Sequence, residues 1–271
     1  MKRRELLVLG GTALGTLFTA NLPNASAEET SSTWTYEPLN SAQVAQRAYD
    51  LYAEGGCMYA AFRSIVEQVG LRRVEKHPLE EARWKGFPYR MMTYGKGGLQ
   101  DYGSLCGILN GCAAAIALFV TDREDAASLT HALFHFYEDT LLPIFVPASD
   151  EFGEIPQSLS ESELCHVSVS RWTTKANETI DSPRRKERCK RLAGDVVAKA
   201  VELMNYYFET GECPAEEDPE TAAAWGGAPA VLGEPPVDGV SGYSPEGERP
   251  RVNVKMNCTL CHTDPASEQS K

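Results

Sequence analysis

The chain has 271 residues, 42% hydrophobic and 24% charged, enough for one or two domains with a packed core and too apolar for disorder throughout. Its 26 Lys and Arg against 38 Asp and Glu give a net charge of -12, which opposes phosphate backbones and anionic membranes and argues against a nucleic-acid partner. Eight cysteines are too few for a dense disulfide scaffold at this length and too many for inert packing, so cysteine chemistry is where function is sought.

In chain order, Lys2, Arg3 and Arg4 precede an apolar run from Leu6 to Ala20, and Ala25-Ser26-Ala27 follows as an A-x-A cleavage pattern. Residues 1–27 therefore read as a secretory signal cleaved before Glu28. The apolar run falls short of the roughly 20 residues that span a bilayer, and no later segment is long enough either, so no membrane span is expected in the mature chain. The Arg3-Arg4 pair resembles a twin-arginine signal, which serves cargo exported already folded and implies a periplasmic location.

Residues 28–40 are polar and form a flexible leader. A helix is predicted from Ser41 to Glu54, ended by Gly55-Gly56, and a second from Cys57 to about Val69 with Met58, Phe62, Ile65, Val66 and Val69 on one face. Residues 71–105 read as irregular because prolines and glycines break any long element; Gly95-Lys96-Gly97-Gly98 lacks the spacing of a phosphate-binding loop and reads as a tight turn. From Gly107 to Val120 nearly every residue is apolar, which predicts a central helix. Asp125 to Tyr137 predicts an amphipathic helix with His131 and His135 on its solvent face, and about Arg185 to Phe208 a long one with Cys189 facing the core. Strand signals are nearly absent, so the expected fold is mainly α, a helical bundle domain over 41–210. Residues 211–271 form a long irregular C-terminal arm: 211–257 hold seven of the 16 prolines and seven of the 22 glycines.

That arm ends in the clearest motif of the sequence. Cys258-Thr259-Leu260-Cys261-His262 is C-x-x-C-H, in which two thiols form thioethers to haem c and the histidine reaches the iron from one side. No second C-x-x-C accompanies it to make a zinc site. The opposite ligand comes from His77, His131, His135, His166 or a distant methionine, since Met256 is too close to His262 to reach the far face. His166 stands out because it follows Cys165, so a redox centre on that thiol would place the haem within tunnelling reach.

From spacing alone, Cys57, Cys106, Cys165 and Cys189 can ligate a cluster, pack as small hydrophobes or form disulfides. Taken in order, Cys57, Cys106-Gly107-Ile108-Leu109-Asn110-Gly111, Cys165 and Cys189 resemble the C, C-G-A-x-x-G, C, C pattern of a redox-active family, with Ile108 in place of alanine. Joined to a twin-arginine signal and one C-terminal C-x-x-C-H, this order is similar to the split-Soret cytochrome c family across residues 40–262. The resemblance implies one haem c per chain and a homodimer with its haems in contact. It implies bis-histidine ligation by His262 and a histidine exchanged between subunits, for which His166 is chosen and His131 is second. It also implies an iron-sulfur cluster, expected as 2Fe-2S, on Cys57, Cys106, Cys165 and Cys189. Cys112 is a possible substitute ligand and Cys213 is unassigned.

The expected function is electron transfer to a redox partner protein that the sequence does not name. Two rivals remain: a periplasmic haem and iron-sulfur reductase of a small oxidised substrate, and a haem protein whose other cysteines form disulfides. No catalytic residues are assigned, because no carboxylate, Asp139, Glu161 and Asp195 included, stands at a legible spacing from a histidine.

Overall fold

The computed structural model describes residues 34–214, so the signal, the leader up to residue 33 and the arm from residue 215, with Cys258, Cys261 and His262, lie outside the described residues. Within them the chain is mainly helical, as expected. The α-helices are α1 (Ser41–Gly55), α2 (Cys57–Lys76), α3 (Glu81–Lys85), α4 (Gly107–Phe119), α5 (Arg123–Asp139), α6 (Cys165–Ala176) and α7 (Pro183–Thr210). Short 3-10 turns cover Pro78–Glu80 and Tyr89–Gly95, and the only pairings of β type among the described residues are isolated bridges, Leu105 with Leu164 and Leu142 with Ser158. No described helix is long and apolar enough to cross a membrane.

Local chemistry sets most of the helix ends. The Asn40 side chain accepts the Gln43 N–H at 2.9 Å to open α1. Asp122 accepts from Glu124 and Asp125 at 2.8 and 3.0 Å, so α5 starts two residues before the predicted Asp125. Ser182 caps α7 through the Arg185 N–H at 3.1 Å with Pro183 at the first helical position, again ahead of the predicted start.

Three predicted elements need correction. Residues 34–40, read as part of a flexible leader, pack on the core: Tyr36 and Leu39 are buried, and the Tyr36 hydroxyl and Leu39 N–H both donate to Asn205 Oδ1, at 2.8 and 3.0 Å. Helix α2 runs to Lys76 rather than Val69, and the stretch read as irregular contains the end of α2, α3 and the two 3-10 turns. It passes through Gly70 because the Trp84 ring packs there, where a Cβ would meet it at 2.8 Å. Helix α6 has no counterpart in the sequence reading. Leu164 makes no side-chain cap, and Val, Ser and Thr dominate the segment, so its helical propensity is weak.

The core forms where α1 lies along α7 and α2, and where α2 lies on α4. Ile65, Val66, Leu109 and Ile116 are buried there, and Leu129 and Leu133 of α5 join the same core. Burying such a side chain contributes roughly 1.5–3 kcal/mol. Helix α7 is less apolar than its predicted stripe: Glu187, Arg188, Arg191, Asp195 and Lys199 are also buried. Arg191 binds Glu187 at 2.9 Å and Asp150 at 2.5 Å, and the Tyr49 hydroxyl donates to Glu187 at 2.9 Å.

Candidate functional site

The bundle brings four cysteines from distant parts of the chain to one end. Cys57 is the first residue of α2, Cys106 occupies the N-cap position of α4, Cys165 opens α6, and Cys189 lies in the second turn of α7. Each of these four thiols interacts electrostatically with the other three. The loop between the 3-10 turn and α4 is stitched to α6 around them: the Cys106 N–H donates to Glu163 O at 2.8 Å, the Cys165 N–H to Ser104 O at 2.8 Å, and the His166 N–H to Gly103 O at 3.0 Å.

Close approach of backbone makes this packing possible. At Gly107 a Cβ would collide with the Gly95 carbonyl and the Cys57 sulfur, so only glycine lets α4 start there. Gly98 has φ +66 and faces the Cys165 Cβ at 2.8 Å from its own hypothetical Cβ. The tight turn expected at Gly95-Lys96-Gly97-Gly98 is thus a left-handed turn packed on Cys165. It extends through Leu99, Gln100 and Asp101 at φ 62, 52 and 66, which costs about 1 kcal/mol or more per non-glycine residue.

Burial and helix ends compete at the thiols. Burial pushes Cys57 up to about 12, and it raises Cys106 and Cys165 as well. Opposing it, the N–H groups of Ile108 and Leu109 at the start of α4 favour the Cys106 thiolate, as helix N-termini favour any anion. Tyr52 sits among Cys189, Cys57 and Cys106, and its hydroxyl is held well above its usual range by burial and then by those thiols. Cys112 is fully buried and faces Cys106 alone of the four. Cys213 lies elsewhere, its sulfur 3.6 Å from Asp125 Oδ1.

A cleft of about 1200 Å³ opens beside the cysteines, and Cys165 and His166 are on its wall with Tyr52. Lys96, Arg185, Lys186 and Lys190 also line it, a local excess of positive charge on a chain of net charge -12. His77, His131 and His135 do not line it. His135 does have a carboxylate neighbour that the sequence reading overlooked: its Nδ1 lies 3.9 Å from Asp139 Oδ2, one helical turn on, at the solvent surface of α5.

All six described cysteines are free thiols. Among the described residues no three of His, Cys, Asp and Glu close on one point as ligands of a single ion. The donor set nevertheless fits a multi-iron centre in its chemistry: four thiols around a shared volume, three of them at helix N-termini.

Residues 82–203 match the C_GCAxxG_C_C family of redox-active proteins, a span that contains Cys106, Cys165 and Cys189. The chain is 35% identical over 243 residues to the split-Soret cytochrome c of Desulfovibrio desulfuricans, covering 88% of this chain and 80% of that protein. The chain belongs to the split-Soret cytochrome c family. A solved structure of the Desulfovibrio desulfuricans member, described as containing a novel iron centre, matches with TM-score 0.61 and 37% identity over 70% of this chain and 80% of its own. The family resemblance read from motif order therefore holds.

Around the cysteines the sequence reading missed a polar layer from α5, α6 and α7. Arg188 is 1% exposed; its Nη2 donates to Ser168 Oγ at 2.9 Å and its Nη1 lies 4.0 Å from the Cys189 sulfur. Ser168 Oγ is in turn 2.9 Å from Ser160 Oγ. The Tyr137 hydroxyl, fully buried, faces Cys106 and Ser168 without a hydrogen bond of full geometry to either. One signal was available: Arg188, Arg191, Asp195 and Lys199 recur at the helical spacing of a single face, adjoining the apolar row of Cys189, Leu192 and Val196.

Proposed function

We propose that this chain is an exported single-electron carrier. In this reading an iron-sulfur centre sits on Cys57, Cys106, Cys165 and Cys189, and a haem c is attached to Cys258 and Cys261 with His262 as one axial ligand. The finer parts are one haem per chain, a 2Fe-2S centre, and a homodimer with its haems in contact. The partner subunit's His166 is the second axial ligand, and the twin-arginine route leads to the periplasm.

The observation that carries the reading is the convergence of the four thiols beside a cleft whose wall presents His166 next to Cys165. When bound, haem and iron-sulfur centre each supply a one-electron couple. The chain's own residues set the surroundings. To ligate iron the thiols must lose their protons, which the helix N-termini favour and burial resists, so loading releases protons. His166 is exposed on the cleft wall, accessible to an iron brought by another subunit, and the basic side chains around it suit an anionic group such as haem propionates.

Iron and acid-labile sulfide analysis of the purified full chain tests this reading. Two non-haem irons and two sulfides per haem are expected; absence of labile sulfide would end the cluster assignment. His166→Ala should convert a low-spin visible spectrum to high-spin or weaken the dimer, and an unchanged spectrum at equal haem content would move the ligand elsewhere. The open basic cleft is the one observation favouring a reductase of a small oxidised anion. A high-spin, ligand-accessible haem in the unaltered protein would favour that alternative.

A further inference from the structure

A guanidinium buried without a carboxylate is costly, because little water remains to solvate it and nothing nearby cancels its charge. Arg188 is such a group. No carboxylate among the described residues lies within 4 Å of it. Asp195 interacts with it only at longer range, and that carboxylate is already taken up by the N–H groups of Ile144 and Phe145 at 3.0 and 2.7 Å. Its Nε has no hydrogen-bond partner, one of three such buried side-chain atoms among the described residues. What surrounds the guanidinium is the Cys189 thiol, the Tyr137 hydroxyl and the Cys106 thiol.

Neutral thiols do not compensate a buried cation, whereas thiolates do. We propose that Arg188 is the built-in counter-charge of the cysteine centre, held in place by Ser168, and that it sets how readily the centre accepts an electron. This rests on the reading that Cys57, Cys106, Cys165 and Cys189 hold an iron-sulfur centre. One-electron reduction adds a unit of negative charge to the volume between the thiols. A fixed positive charge at its edge stabilises the reduced state more than the oxidised one, and hydrogen bonds to ligating sulfur act in the same direction. Ser168, itself 2.9 Å from Ser160 Oγ, holds the guanidinium at Nη2 and leaves Nη1 4.0 Å from the Cys189 sulfur. Arg188 is thus a positioning and charge-setting residue, outside the ligand set.

The test is a reductive titration of the loaded full chain with dithionite and mediator dyes, following the non-haem centre and the haem separately by EPR and visible absorption. Arg188→Met should lower the reduced-to-oxidised ratio of the non-haem centre at a given potential at least tenfold, which is 59 mV for a one-electron couple. The haem should move less. Arg188→Lys, which keeps the charge, should recover most of the shift, and Ser168→Ala should give a smaller shift in the same direction. An unshifted centre in Arg188→Met with full iron and sulfide would overturn the proposal. If Arg188→Met cannot hold iron, Arg188→Lys must hold it at the level of the unaltered protein; loss in both would show that shape, not charge, is needed, and would equally overturn it. An unaltered protein without non-haem iron would instead defeat the reading on which the proposal rests.

Discussion

The two halves of the bundle are stabilised differently. Where α2 lies on α4, the contact is made by apolar side chains such as Ile65, Val66, Leu109 and Ile116, with almost no polar group to satisfy. The first half of α7 buries Glu187, Arg188 and Arg191 beside Cys189, each needing a partner. The apolar half tolerates loss in proportion to volume, and the polar half does not, because removing one member strands the others. The cysteines sit where the two meet: Cys57 and Cys106 come from the apolar pair of helices, Cys189 from the polar one, and Cys165 from the start of α6.

Arg191→Met should have the largest effect on stability. It leaves Glu187, 1% exposed at its side chain, without its main counter-charge, and breaking such a buried pair costs about 3–5 kcal/mol. Urea denaturation of the apoprotein should show it, and a loss under 1 kcal/mol would mean that the pair is not insulated from water. Ile116→Ala, in the apolar half, should cost about 2–4 kcal/mol by the same measurement. Because Ile116 stands ten residues beyond Cys106 on α4, non-haem iron per folded chain should be unchanged, and iron loss in step with stability would erase the contrast between the halves.

The smallest expected effect is a slope with pH. Burial pushes Asp195 up to about 7 against the backbone N–H groups of Ile144 and Phe145 and the cations Arg188 and Arg191. A carboxyl whose folded pKa is raised stabilises the fold fully below its unfolded pKa, near 4, and that contribution is lost as pH rises toward 7. The apoprotein should therefore lose stability between about pH 4 and pH 7, relative to Asp195→Asn measured in the same buffers. Parallel curves for the two proteins would show that Asp195 is already ionised across that range.

Much of the fold was legible in the sequence because its signals are local. Asn40 and the Gly55-Gly56 pair bracket α1, and the apolar run after Cys106 gives α4, since capping and hydrophobic periodicity act within a few residues. The solvent face of His131 and His135 and the core position of Cys189 were readable for the same reason. Helix α6 was not. Its sequence from Cys165 to Ala176 has weak propensity and no side-chain cap, and its first turn is anchored by long-range bonds from Cys165 and His166 to Ser104 and Gly103.

The order of cysteine motifs, read from the sequence alone, determined the family, because a spacing pattern survives changes in everything around it. The sequence also determined which residues have the chemistry to ligate a redox centre: the thiols, and a C-x-x-C-H motif outside the described residues. The tertiary structure alone decided that Cys57, Cys106, Cys165 and Cys189 come within electrostatic reach of one another while Cys213 stands apart, and that Cys112 faces only Cys106. It alone placed His166 on a basic cleft and Arg188 beside the Cys189 sulfur. The physical reason is distance along the chain: caps and periodicity act over a few residues, whereas the electrostatics of a buried centre depend on side chains that approach only when helices far apart in sequence pack together.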